Sequence, residues 1–449
     1  MLHKRVNKFI RNPKKALFRL ALPTIVAMVV QTMYNVVDTA FIGRLGVEAI
    51  AALTFAFPIF FILIAINQGI GVGMGAKISQ FFGAKNKTAA ENVAMHGLFI
   101  SILMALMVFV LGILLLKPLF ALIGASGNVL EMSLSYMYIV LIGVFFMFPA
   151  FIFNSIFISQ GDTKTPTKIQ IAALVLNIIL DPIFIYTFGF GVQGAAIATS
   201  IAFLFSLLLS MYCIRKKSLL HIHPKNFHFS PWIIKNIFFI GAPASVLMLL
   251  ISVYITFMNH VLVSFSNAHV AALGLAFRIS NVLMMPIVGG SVALLTLVGI
   301  FYGAKRHDLV NDIIYYTLKI GFIFTCLGGV IFFIFPSLFL RIFTSDAELL
   351  RLGSNFLRID LFILPFLTIA TLTNRAMQGL GEGLPGLIVN LVRVIVVAVP
   401  LTYLFVFVFG FGYLSVAVAD VIGGVIAAAV AITWIILKLK KLHLLDSET

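Results

Sequence analysis

LALPTIVAMVVQTMYNVVDTAFIG, residues 20–43, fills the interval between Arg19 and Arg44 and contains one charge, Asp38. A helix needs about 20 apolar residues to cross the hydrocarbon core of a bilayer, so the stretch reads as a membrane span that carries an acid. A charge at mid-bilayer costs about 2.5–3.5 kcal/mol even on permissive insertion scales, which makes such a carboxylate a functional-site hypothesis by default. A second acid of the same kind, Asp181, lies in the long apolar run from Lys168 to Arg215.

The spacing of charges extends this reading along the chain. Uncharged or nearly uncharged runs separate Glu48 from Lys77, Glu91 from Lys117, Glu131 from Asp162 and Lys235 from Lys305, and similar runs continue to the C-terminus. Runs of twice the needed length must fold back, and GFGVQG (189–194) and FGFG (409–412) are natural turns. About twelve spans result, an all-α polytopic membrane fold. Composition agrees: 61% hydrophobic and 10% charged residues, with a mean hydropathy of +1.13, against roughly a quarter charged in soluble domains.

The formal charge of +16 raises the question of nucleic acid, and its distribution answers it. Basic residues crowd the N-terminal arm (Lys4, Arg5, Lys8, Arg11, Lys14, Lys15, Arg19) and return in every second loop, at Lys85 and Lys87, Lys164, Arg215 to Lys217 with Lys225, Lys305 and Arg306, and Lys438 to Lys441. That alternation is the positive-inside bias, which predicts a multi-pass protein of the plasma or inner membrane with both termini cytoplasmic. It predicts contact with an anionic cytoplasmic leaflet and requires no nucleic-acid partner. Cys213 and Cys326 are too few and too far apart for a metal or disulfide framework. The first run is too long for a signal-peptide core and is expected to stay as the first span.

The chain also reads as one unit written twice. Pro23 and Pro243, AALTFAF (51–57) and AALGLAF (271–277), and FGAK (82–85) and YGAK (302–305) all recur at a shift of 220. Further on, Gln160-Gly161 matches Gln378-Gly379, Pro166 matches Pro385 and FGFG (188–191) matches FGFG (409–412), so the offset is expected to drift between 218 and 221. Two six-span copies must share one orientation, giving a parallel repeat about an axis along the membrane normal with a cavity between or within the halves. The expected organisation is an N-lobe over 1–214, a cytoplasmic linker over 215–231 and a C-lobe over 232–449. His221, His223 and His228 in that linker read as a solvated loop, since no Cys or carboxylate joins them.

Polar residues gather in the first copy. Gln31, Tyr34, Asn35 and Asp38 follow i, i+3, i+4, i+7 spacing and share one face of the first span. Asn177 and Asp181 are cofacial on the fifth span, and Pro182 frees a backbone carbonyl beside the acid. Asn154 and Thr199 add oxygens on the fourth and sixth. Carboxylates, amide and hydroxyl are hard-oxygen ligands suited to Na⁺, and the carboxylates alone suffice for H⁺. The repeat acts as an internal control: Met258 stands opposite Asp38, and residues 398–402, opposite Asp181, contain no acid. A role in the fold alone would have called for the acids in both copies. In the second copy, Arg278, Arg358, Asp360, Arg393 and Asp420 mix both signs, and internal ion pairing is expected. Asp420 stands where the FGFG alignment places Thr199. The glycines at 69, 71, 73 and 75 predict close helix packing, because no soluble strand precedes them as a phosphate loop requires. Some of the 45 Phe and 16 Met residues are expected to line an adaptable apolar cavity.

LPTIVAMVVQTMYNVVDTAFIGRLG (22–46), QGDTKTP (160–166) and NIILDPIFIYTFGFGVQGAA (177–196) resemble the multidrug and toxic compound extrusion (MATE) family, closest to its DinF-like prokaryotic branch, over essentially the whole chain. The resemblance implies a non-enzymatic antiporter, expected as a monomer, that exports small amphipathic, often cationic drug-like compounds in exchange for Na⁺ or H⁺. No cofactor beyond the coupling ion is implied. The matching positions make Asp38 and Asp181 the cation-coupling acids, Asn177 and Thr199 additional ligands (metal ligands if the ion is Na⁺), and Gln31, Tyr34, Asn35 and Asn154 the lining of the substrate cavity. The alternatives are a lipid-linked oligosaccharide flippase, which would favour a cavity rich in Arg and Lys, and an intramembrane aspartate enzyme, for which no nucleophile or metal set is present. A channel would need polar groups along a continuous path through both lobes.

Overall fold

The computed structural model describes residues 2–223 and 227–447; the side chains of 34–36, 38–40 and 443–447 lie outside the described set. Twelve helices among the described residues are long and apolar enough to span a membrane. The chain divides into two compact units, Met1–Asn7 with Leu22–Ala242, and Lys8–Ala21 with Pro243–Thr449.

The first unit draws on α1 (Leu2–Arg11), α2 (Pro13–Gly43), α3 (Val47–Gly83), α4 (Lys87–Leu122), α5 (Gly127–Ser159), α6 (Lys164–Pro182) with its π-helical extension (Ile183–Thr187), α7 (Gly191–Lys217) and the start of α8 (Pro231–Val263). α5 is its central post, packed on α3, α4 and α7. Met137, Val144 and Phe148 of α5 are fully buried against Ala56 of α3, Ala105 and Phe120 of α4, and Ala195 and Ala196 of α7. The glycine series behaves as expected and serves two neighbours in turn. A Cβ at Gly71 would lie 2.5 Å from the Phe151 ring of α5, whereas one at Gly73 would overlap the Ile237 carbonyl of α8, and one at Gly241 the Gly69 carbonyl. Only glycine lets these backbones approach so closely.

The second unit holds the rest of α8, then α9 (Asn267–Gly303), α10 (His307–Ile334), α11 (Pro336–Leu340), α12 (Ala347–Asp360), a 3₁₀ turn (Leu361–Ile363), α13 (Leu364–Gly379), α14 (Leu384–Leu391), a π-helical stretch (Val392–Ala398), α15 (Val399–Tyr403), a π-helical turn (Leu404–Val408) and α16 (Leu414–Ser447). α12 and α13 together make one span, as do α14 through Val408. Here α9 and α13 are central, with Leu273, Ala276, Phe356, Leu357 and Val416 in the core.

The units divide the chain differently from the expected 1–214, 215–231 and 232–449. The chain changes unit inside α1, α2 and α8, at Lys8, Leu22 and Pro243, the last two at or beside the matched prolines. The described residues of 215–231 group with the first unit, where side chains of α4 and Gln160, at the end of α5, bind their backbone. Gln160 Oε1 accepts from Leu219 N at 2.8 Å, Glu91 Oε1 from His221 N at 2.6 Å, and His96 Nε2 from Ser230 N at 2.9 Å. Asn92 clamps His228 in both directions, through Oδ1 to its N–H (3.1 Å) and Nδ2 to its carbonyl (3.0 Å). His221, His223 and His228 are exposed, as a solvated loop requires, while these bonds hold the described backbone of the segment to the first unit. Among the described residues no three His, Cys, Asp or Glu converge as a metal would require.

Local geometry repeats faithfully. α3 and α9 are both 37 residues long, displaced by 220, and both end in a left-handed residue, Lys85 (φ 59°) and Lys305 (φ 56°). Lys85 N–H donates to Phe82 O and Asn86 N–H to Phe81 O, the same pair of bonds that Lys305 and Arg306 make to Tyr302 and Phe301. These are Schellman caps, which satisfy the last carbonyls of each helix. The offset does not drift as the sequence matches suggest. Gly161 and Gly381, both at positive φ, occupy the same turn: Gly161 and Asp162 bond to Ile158 and Phe157 as Gly381 and Glu382 bond to Gln378 and Met377. The Gln160-Gly161 to Gln378-Gly379 match is therefore not the structural equivalence. The offset is 220 up to the starts of α6 and α14, and 221 at the paired π-helical turns 183–187 and 404–408. The one added residue falls in a span interrupted by the π-helical stretch Val392–Ala398, and such a bulge accommodates a single insertion without ending the helix.

Candidate functional site

α2 is a continuous helix from Pro13 to Gly43, so the backbone positions of Gln31, Tyr34, Asn35 and Asp38 share a face as their spacing requires. Gln31 is exposed on that helix, and the side chains of Tyr34, Asn35 and Asp38 lie outside the described residues. α6 bonds to α2 at two levels. Thr167 Oγ1 donates to Pro23 O at 2.9 Å, and Tyr186 Oη donates to Phe41 O at 2.6 Å. The two helices thus run parallel and in register, and position 38 stands level with about residue 183. At about 1.5 Å rise per residue, that is roughly 3 Å along the axis from Asp181.

Asp181 ends α6 and is fully buried, as is Asn177 one turn earlier, whose Nδ2 donates to Asp181 Oδ1 at 3.3 Å. Pro182 follows, and the hydrogen bonding widens into the π-helical turn Ile183–Thr187. A proline removes an N–H from the helical ladder and the π turn shifts its carbonyls, so polar backbone collects beside the acid. α7 closes over this turn through Gly194, where a Cβ would come within 2.6 Å of the Phe184 carbonyl. Thr199, five residues along α7, is buried. Asn154 of α5 is half-buried, and its Oδ1 has no hydrogen-bond partner among the described residues.

Asn67 of α3 escaped notice in the sequence. It is buried, and its Oδ1 is likewise without a hydrogen-bond partner among the described residues. The signal was available, since Asn67 and Gln68 are the two carboxamides in the uncharged run from Glu48 to Lys77. A buried polar atom of this kind is costly unless something satisfies it, which makes Asn67 a further potential oxygen ligand in the first unit.

The second unit has a different polar centre. Arg393, in the π-helical stretch, donates from Nη2 to Asp420 Oδ1 at 3.0 Å and to Oδ2 at 3.3 Å. Its guanidinium also lies 5.8 Å from the Tyr254 ring centroid. Ser280 Oγ donates to the buried Asp360 at 2.6 Å. The expected ion pairing holds for Arg393 and Asp420 only. Arg278 and Arg358 are exposed and, among the described residues, meet no carboxylate; they stack on Phe343 and Phe333, each at 5.8 Å. At the 221 offset, Asp181 and Thr199 correspond to Thr402 and Asp420, all four buried.

The MatE family profile matches residues 23–183 and 243–404, one match in each half of the repeat. The chain belongs to the MatE family. Among its MatE relatives, the probable multidrug resistance protein YoeA of Bacillus subtilis is 29% identical over 360 residues, covering 76% of this chain and 75% of that one. A protein of Shewanella oneidensis named FAD transporter is 26% identical and covers 85% of each chain. A multidrug resistance MATE family transporter solved in an outward-facing conformation superposes with a TM-score of 0.90, at 32% identity and 96% coverage of both chains. This MatE chain is therefore a multi-pass membrane transporter and not an enzyme.

Proposed function

We propose that this transporter exports small amphipathic, often cationic organic compounds by alternating access, driven by Na⁺ or H⁺ binding at Asp38 and Asp181. The observation that supports this most is the register of α2 against α6, which puts the two acid positions at one depth on neighbouring helices. Asn177 and Thr199 are assigned the amide and hydroxyl oxygens a desolvated Na⁺ would need, and positions Gln31, Tyr34, Asn35 and Asn154 are assigned to the substrate path. Coupling requires only that cation and drug favour different conformations, whether or not they meet at one carboxylate. The basic loops orient the chain with both termini cytoplasmic.

The test is efflux of a fluorescent organic cation from vesicles containing purified protein, with Na⁺ and H⁺ gradients imposed separately. Wild type should respond to one or both, and Asp38→Asn and Asp181→Asn should fold yet lose the gradient-driven component. Undiminished driven efflux in both variants would remove this site from the mechanism. The relative named FAD transporter warrants a flavin-nucleotide arm in the same vesicles.

A further inference from the structure

The end of α16 carries a feature outside the proposed cation site. A cavity of about 570 Å³ opens between this helix and the turn joining α13 to α14, within the roughly 300–1,000 Å³ typical of small-molecule sites. Its character changes steadily along the helix. Ala429 and Val430 line the end deepest along the span, its apolar floor; Thr433, whose hydroxyl donates to Ala429 O, follows with Trp434 and Leu437 in the middle; Lys438, Lys441 and Glu382 form the rim. These positions lie near the basic end of the span Leu414–Leu442, and the 12 residues from 429 to 441 rise about 18 Å. That order of apolar floor, interfacial tryptophan and charged rim follows the depth profile of one lipid leaflet, in which Trp sits at headgroup level and Lys above it.

The rim charges select the headgroup. Glu382 is ion-paired with Lys438, so the two cancel. Lys441 is exposed and, among the described residues, has no ion-pair partner. The rim thus presents one net positive charge over an apolar slot, a fit for a phosphodiester on acyl chains.

We propose that this groove is a binding site for a single anionic phospholipid of the leaflet at the basic end of α16, its phosphate on Lys441 and its chains along Trp434 and Ala429. A soluble anion would gain the charge but leave the floor uncovered. A zwitterionic lipid would bring a cation to a carboxylate that Lys438 already holds.

The test is native mass spectrometry of the full-length protein in detergent, titrated with phosphatidylglycerol, phosphatidylethanolamine or inorganic phosphate. Phosphatidylglycerol should bind tightest. Lys441→Glu should weaken it at least about fivefold, the scale of one basic residue at an anionic surface. Ala429→Trp, which fills the floor without changing charge, should weaken it similarly. Lys440→Glu makes the same charge change at an exposed residue outside the groove and should leave binding as in wild type. Equal loss in the Lys440 and Lys441 variants would reduce the effect to bulk charge and overturn the site. So would wild-type affinity in Ala429→Trp, or displacement of the lipid by phosphate. The charge and volume variants act independently, so either one that folds decides the matter.

Discussion

The two halves place an acid and a threonine at matched positions and exchange them. In the first half the acid ends α6 (Asp181) and the threonine sits in α7 (Thr199); in the second the threonine is in α15 (Thr402) and the acid in α16 (Asp420). The neighbours differ in kind. Asp181 is met by a neutral amide, Asn177, whereas Asp420 is gripped by a guanidinium, Arg393. The added residue of the second half explains how. It lies in the span whose π-helical stretch carries Arg393 to the acid, while the first half runs as uninterrupted α-helix to Asp181 and has Ala172 or Ala173 at the corresponding place. A permanent internal cation neutralises one acid for good. Under the function proposed above, the acid beside the amide is the one that exchanges a mobile cation. On that reading, one insertion after duplication separates a working site in one half from a fixed ion pair in the other.

The largest expected effect comes from breaking the fixed half. Arg393→Leu should lower stability by about 3–5 kcal/mol, because it strands a buried carboxylate, while the double change Arg393→Leu with Asp420→Leu should recover most of that loss. Thermal unfolding of the purified variants in detergent reads both, and equal destabilisation by single and double changes would contradict a neutralised pair. Next is Phe148→Ala in the central post of the first unit, expected to cost about 3–5 kcal/mol at the lower part of that range if α3 and α7 relax into the space. Gly73→Ala should cost about 1–3 kcal/mol because the new methyl meets backbone, whereas Gly274→Ala on the matched α9, which has nothing within 4 Å of its Cβ position, should be neutral or slightly stabilising. The smallest is Lys85→Gly or Lys305→Gly. Each relieves a left-handed side chain worth about 1 kcal/mol and gives some of it back as chain entropy.

Much of this was legible in the chain itself, because membrane spans announce themselves by length and charge and a repeat by its offset. Asn177 and Asp181 were readable as a cofacial pair, and their hydrogen bond follows from i, i+4 spacing on any helix. The misassigned Gln378-Gly379 match shows where letters mislead: Gln378 corresponds to Ile158, and only the positive φ shared by Gly161 and Gly381 marks the true equivalence. The added residue showed in the FGFG offset of 221 against 220 earlier in the chain, but its place and π-helical form did not, since one extra apolar residue in an apolar run changes no local pattern. Arg278 and Arg358 misled as buried ion-pair partners because sequence depth does not reveal that they face outward and stack on phenylalanine.

The contrast between a mobile and a fixed acid is tested most directly by one paired measurement. Asp181→Asn and the double Arg393→Leu, Asp420→Leu variant would be reconstituted at equal density, and efflux of an organic cation followed under imposed Na⁺ and H⁺ gradients. The account predicts that Asp181→Asn loses gradient-driven efflux while the double variant keeps it. Coupling that survives in Asp181→Asn and vanishes in the double variant would place the working acid in the second half and contradict it.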